Sequence, residues 1–168
     1  SITKFERNKL INKTYGNSIK NSFSTSKLEV KKDKKLMGCS ISHDGYEKNF
    51  NCIHKREIYL DNDKNKLIGI DHIFKKQDGL PIRYVFRFHL NPDLSAVKTM
   101  SGNSALIQIS KNKSLIFTIK NENLEIEKSI YLAQKKILDN TCITISGNLD
   151  LVISSLKFVY SFDFLYKS

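Results

Sequence analysis

Residues 82–90 read IRYVFRFHL, and the alternation in this stretch decides how the rest of the chain is interpreted. Ile82, Tyr84, Phe86, Phe88 and Leu90 occupy one phase of a two-residue period, and Arg83, Val85, Arg87 and His89 occupy the other. Successive side chains of an extended strand point to opposite faces, so the first set belongs in a core and the second at a surface. The same period recurs outward in both directions: SKLEVK (26–31), LMGCSISH (36–43), HKREIYLD (54–61), KLIGIDHIF (66–74), LSAVKTM (94–100), SALIQIS (104–110), SLIFTIK (114–120), NLEIEKSIYLA (123–133), TCITISG (141–147) and LVISSLKFVYSFDF (151–164). Between them lie DNDKNK, KKQDGLP, SGN, SKNK, KNEN and SGNLD, whose Gly, Asn, Asp and Pro tolerate turn geometry. Short strands with short connections imply antiparallel pairing, and their single apolar faces are buried by packing two sheets together. The expected fold is all-β, a two-sheet antiparallel β-sandwich.

The 168 residues suit one sandwich domain spanning 1–168, with a loop-rich opening over 1–35 where NKTYGNSIKNSFSTS is expected to be an extended loop or a weakly ordered edge. The chain starts SITKFERNKL, without an initiator Met, a signal-peptide core or an amphipathic transit segment, and is expected to be a piece of something longer. No apolar run approaches the roughly 20 residues of a membrane span. Lys and Arg number 28 against 17 Asp and Glu, a formal charge of +11. That balance favours polyanionic partners such as nucleic acid, anionic lipid or acidic polysaccharide, although a Lys-rich surface produces the same charge with no binding role.

Three cysteines, Cys39, Cys52 and Cys142, form no CxxC pair. Cys39 and Cys142 sit in apolar runs and are expected to be buried thiols, a bridge between them being the alternative. No GxSxG, phosphate-binding loop or dinucleotide-binding glycine pattern is present, and neither an aromatic RNA-binding strand signature nor a recognition helix accompanies the basic charge. Cofactors and nucleic acid are therefore not expected. Cys52, His54 and His43 lack the tight paired spacing of zinc ligands, so no metal site is expected.

Chemistry concentrates in ISHDGYEKNFNCIHKREIYL, residues 41–60. The phase of Met37, Cys39 and Ile41 carries His43 inward, Asp44-Gly45 makes a bend, and Tyr46 follows. His54 and Arg56 share a face of the next strand, so a hairpin would gather His43, Tyr46, His54 and Arg56. Imidazole exchanges protons near neutral pH, and a tyrosine beside a cation can act as acid or base. On the IRYVFRFHL strand, Arg83, Arg87 and His89 at alternate positions suit carboxylates or sulfates spaced along an extended polymer. Each group has a plainer reading, a satisfied core histidine in the first case and a solvated strand face in the second.

Taken together, SHDGYEKNFNCIHKREIYLDND (42–63), GIDHI (69–73), YVFRFHLNP (84–92), SGNSALIQI (101–109) and EKSIYLA (127–133) resemble the C-terminal β domain of the heparinase II/III-like proteins, in matched order from about residue 36 to about residue 164. The resemblance implies a polysaccharide lyase in which an N-terminal α/α toroid of the same parent chain and this sandwich enclose a cleft, with an acidic polysaccharide as partner and no membrane span. Such enzymes act by β-elimination: a base removes the proton alpha to a uronate carboxylate, the carboxylate is neutralised and the glycosidic oxygen leaves. His43 matches the family's His-Asp-Gly-Tyr element and is implied to face the cleft as the catalytic candidate, with Tyr46, His54, Arg56, Arg87 and His89 in supporting or substrate-binding places; Arg83 is a substrate-binding candidate from its place on the IRYVFRFHL strand. Most of the catalytic constellation belongs to the toroid, so this piece alone is expected to be inactive. A parent acting on polysaccharide would be periplasmic or secreted. The alternative is a non-catalytic module that binds an acidic glycan or serves as a scaffold.

Overall fold

A computed structural model describes residues 26–32, 36–75, 81–133, 136–149 and 155–166. The polar opening stretch and most of the KKQDGLP connection lie outside the described residues.

Among the described residues eleven strands follow one another: β1 (Ser26–Lys32), β2 (Leu36–Tyr46), β3 (Cys52–Asp61), β4 (Lys66–Lys75), β5 (Ile82–His89), β6 (Ser95–Lys98), β7 (Ser104–Ser110), β8 (Lys113–Ile119), β9 (Glu125–Ala133), β10 (Lys136–Leu149) and β11 (Ser155–Tyr166). They form an eight-stranded sheet, β1-β2-β3-β4-β11-β8-β7-β6, and a three-stranded sheet, β5-β10-β9, with every pairing antiparallel. The all-β sandwich is therefore the fold. One helical turn, α1 (Glu47–Phe50), closes the β2–β3 connection, and Asn51 ends it in the left-handed region, where Asn is tolerated better than most residues.

The alternation of β5 is observed as expected. Tyr84, Phe86 and Leu90 are buried, while Arg83 and His89 are exposed on the opposite face. Phe86 and Tyr84 meet Phe158 of β11 with ring centroids 4.7 and 4.9 Å apart, and Phe88 meets Phe117 of β8 and Tyr160 of β11 at 5.0 and 4.9 Å. These tilted and edge-on pairs join the two sheets, each supplying attraction beyond simple area burial. Ile143, Ile145 and Leu149 of β10 and Ile107, Ile119 and Leu124 complete the core.

Three glycines share one device. Gly38, Gly69 and Gly147 lie directly across a strand pair from Tyr59, Tyr160 and Tyr84, and each tyrosine ring lies over its glycine. A Cβ on Gly147 would stand 2.3 Å from Tyr84 Oη and 2.6 Å from its Cζ. This explains why SGNLD, expected to be a turn, instead continues β10 through Leu149: the ring of the neighbouring strand occupies the space that a side chain would need. Burial pushes the Tyr84 hydroxyl up to about 12, aided by the Glu122 carboxylate nearby. The three thiols are unpaired; Cys52 and Cys142 are buried and Cys39 is partly so.

Gly147→Ala is expected to push Tyr84 off Phe158 and lower unfolding stability by about 1–3 kcal/mol, the usual result of overpacking. Urea denaturation of the 168-residue chain measures it, and an unchanged midpoint would show that the ring can move without loss.

Candidate functional site

The β2–β3–β4–β11 register builds the site. His43 is paired across the strands with His54, Ile41 with Arg56, Arg56 with Asp71, and Asp71 with Phe158. All of these side chains therefore share the sheet face that looks toward β5. Tyr46 joins them because β2 is irregular between His43 and Tyr46, so that Tyr46 comes to pair with Cys52. An irregularity of this kind re-aims the side chains that follow it.

Asp71 lies at the centre and is 1% exposed. Arg56 donates to it with two parallel bonds, Nε to Oδ1 at 2.8 Å and Nη2 to Oδ2 at 2.9 Å. His54 Nε2 stands 2.6 Å from Oδ1, and the Tyr160 hydroxyl lies near enough to feel the carboxylate. On its other side His54 Nδ1 lies 3.2 Å from His43 Nε2, and the Gly45 N–H donates to His43 Nδ1 at 3.3 Å. The Tyr46 ring stands 5.3 Å from His43 and 6.4 Å from His54. Phe86 backs His54 at 6.3 Å, and the Arg56 guanidinium lies over Phe88 at 5.8 Å. Exposure rises along the chain of bonds, from buried Asp71 through His54 to half-buried His43.

The electrostatics follow this gradient. Burial disfavours a charged Asp71, but the hydrogen bonds and charges of His54 and Arg56 outweigh it and hold the carboxyl below its ordinary range. Burial also opposes the Arg56 charge, and Asp71 reverses that effect, so the guanidinium stays protonated. His43 is pushed down, first by burial and then by His54, with Arg56 adding to the effect against an opposing pull from Asp44. Burial and the Asp71 charge raise the Tyr160 hydroxyl, which remains protonated.

Four of the expected site residues, His43, Tyr46, His54 and Arg56, are thus brought together. The other three are not. Arg83, Arg87 and His89 project from the outward face of the small sheet, where His89 Nδ1 lies 3.1 Å from the Ser129 hydroxyl. Two members of the cluster were missed, Asp71 and Tyr160. For Asp71 a signal existed: the alternation of KLIGIDHIF puts it in phase with Leu67 and Ile73, and an acid on an apolar phase needs a buried partner. Tyr160 gives no such sign, because its place depends on the gap over Gly69, which only the β4–β11 register reveals. Among the described residues no group of three or more His, Cys, Asp or Glu could hold a metal ion, and no helix is long and apolar enough to cross a membrane.

The family model for the heparinase II/III-like C-terminal domain matches residues 3–157. The chain belongs to this family. Among solved structures it resembles the heparan sulfate lyase HepC of Pedobacter heparinus, with a TM-score of 0.71 and 14% identity over 84% of this chain and 22% of that one. It also resembles a heparinase III, with a TM-score of 0.65 and 17% identity over 85% of this chain and 22% of that one. A third likeness, to the α-N-acetylgalactosaminidase NagBb of Bifidobacterium bifidum, has a TM-score of 0.57 and 9% identity over 94% and 30% of the two chains. At these identities the shared feature is the fold. The chain spans 22% of the length of the heparan sulfate lyase and of the heparinase III that it resembles. No curated protein matches it.

Asp71→Asn is expected to lower stability at pH 7 by about 3 kcal/mol, because it leaves a largely buried Arg56 without its counter-charge. The carboxyl is depressed from an ordinary value of 3.8, so its contribution is complete above that pH and is lost as pH falls through the lower folded value. The gap between variant and wild type should therefore close below about pH 3.8, as read by urea midpoints across pH. A gap that stays constant would remove the carboxylate charge from the account.

Proposed function

We propose that residues 1–168 form one sandwich domain that serves as one wall of the cleft in a polysaccharide lyase, acting on uronate-containing chains by β-elimination. The observation that carries this reading is the hydrogen-bonded chain running from buried Asp71 to half-buried His43, in a domain of the heparinase II/III-like family. A buried carboxylate coupled to an imidazole at the surface is costly for a plain core, and is the kind of arrangement that tunes a reacting group. The likeness to proteins described as a heparan sulfate lyase and a heparinase III supports the substrate class.

In this reading His43 meets the uronate at the cleft, where it helps neutralise the carboxylate or stabilise the enolate that develops when the adjacent proton leaves. Tyr46, His54 and Arg56 support it. An N-terminal α/α toroid of the parent supplies the remaining acid–base groups and the opposite wall, so the isolated domain does not turn over substrate. The test is absorbance of the unsaturated uronate product, using the parent on heparan, chondroitin, hyaluronan and alginate chains. A rise with one of them supports the lyase and names its substrate; silence from a folded parent on all four counts against it. His43→Ala in an active parent is expected to cut turnover by about 100-fold or more, the typical size of one acid–base or electrostatic contribution, with little change in melting temperature. Parallel losses of both would make His43 a core residue.

A second reading, a non-catalytic module for acidic glycans, is favoured by Arg83, Arg87 and His89 on the outward face of β5. Binding through that face should weaken steeply as salt screens it. If the 168-residue chain binds heparin tightly at low salt, and Arg83→Ala with Arg87→Ala abolishes that binding, this module is supported; weak binding at every salt concentration supports the half-cleft.

A further inference from the structure

The polar cluster contains a sequence of hydrogen bonds that admits one consistent placement of protons. At one end, Asp71 accepts two bonds from Arg56 and can only accept from His54, so His54 Nε2 carries a proton. At the other end, the Gly45 backbone N–H can only donate, so His43 Nδ1 is bare. A neutral ring with a bare Nδ1 carries its proton on Nε2, the nitrogen 3.2 Å from His54 Nδ1. Nδ1 of His54 must then accept, which agrees with a neutral His54 protonated on Nε2. Reversing either ring alone would set two donors or two acceptors against each other at two of the three links.

We propose that Asp71 is a positioning residue that acts through His54, in concert with the Gly45 N–H, to hold His43 in its Nε2–H tautomer. Asp71 lies two hydrogen bonds from His43 and does not touch it in this network, so its influence passes through the His54 ring. Arg56 anchors the carboxylate with its fork, so the acceptor end of the network is fixed in place. Resting on the lyase reading, the consequence is that His43 enters the site as a neutral imidazole, its Nε2 proton turned to His54 and its Nδ1 accepting from the Gly45 N–H. It meets a carboxylate as a cation only after Nδ1 has gained a proton, which requires the bond from the Gly45 N–H to be given up.

The test is nuclear magnetic resonance of the 168-residue chain labelled with nitrogen-15 in histidine, at a pH where all four rings are neutral. His43 and His54 should each show a protonated Nε2 and a bare Nδ1. A scalar coupling through the hydrogen bond should connect His43 Nε2 with His54 Nδ1. A His43 protonated on Nδ1, or one averaging its tautomers like an isolated imidazole, overturns the proposal. In Asp71→Asn the carboxamide can turn an N–H toward His54, and the two His43 nitrogen resonances are expected to shift toward each other as the tautomers average, full reversal being opposed by the Gly45 N–H. His54→Gln keeps a donor toward Asp71 and removes the acceptor for His43; it should abolish the coupling and release the tautomer. If either variant is folded and its His43 keeps the wild-type resonances, Asp71 does not act through His54. Should neither variant fold, the wild-type tautomer and coupling decide the question alone. No substrate is involved, so a parent without lyase activity would leave the relay standing, and an active parent without the relay would refute only the positioning role.

Discussion

The constraint on which the structure depends is a carboxylate that has been taken almost wholly out of water. Asp71 sits between two sheets whose other facing residues are largely aromatic and aliphatic. An ionised group in such a place is tolerated only with partners that replace its hydration, and here every partner comes from a neighbouring strand. Arg56 is its direct cross-strand neighbour, His54 is diagonal to it on the same strand, and Tyr160 reaches from the other side. Tyr160 occupies this position because Gly69 leaves room beneath its ring: a Cβ there would fall 2.1 Å from the ring. The absence of a side chain at one position thus helps satisfy a charge two residues away.

Register ties this cluster to the fold. Side chains alternate with a period of two, so a slip of one residue between β3 and β4 would send Asp71 to the outer face while leaving His54 and Arg56 inside. Two cationic or protonatable groups would then be buried without a counter-charge. The aromatic residues impose the same register from the opposite sheet, since Phe86 backs His54 and Phe88 lies beneath Arg56. Polar pairing and apolar packing therefore select one alignment together, and the site cannot be loosened without loosening the core.

This coupling explains which parts were legible in the sequence. Periodicity reports a side chain's face, so the strands, the burial of Tyr84 and Phe86 and the inward phase of His43 could all be read from it. Gathering His43, Tyr46, His54 and Arg56 needed only the assumption that adjacent strands pair. The role of Asp71 required the register of a third strand, and Tyr160 required a fourth that arrives some ninety residues later along the chain. The separation of Arg83, Arg87 and His89 from the cluster depends on which sheet β5 joins, and alternation within a strand carries no information about that. SGNLD misled because Gly and Asn ordinarily mark turns, whereas Gly147 is there to accommodate a ring.

The charge of the chain and the charge of the cluster are separate matters. A net charge of +11 draws polyanions by long-range attraction, yet the guanidinium best placed inside the cluster is paired bidentately with Asp71. Arg56 is thereby tied to a carboxylate that the protein itself supplies. Moving it to a substrate carboxylate would break two charge-assisted hydrogen bonds and strand Asp71 in the core, at a cost of several kcal/mol for an ion left uncompensated there. Any attraction for a polyanion would then come from the surface, and what the cluster offers is orientation: a half-buried imidazole aligned from inside the sandwich. In a site of this design, the buried salt bridge is the fixed reference from which a half-buried imidazole is aligned.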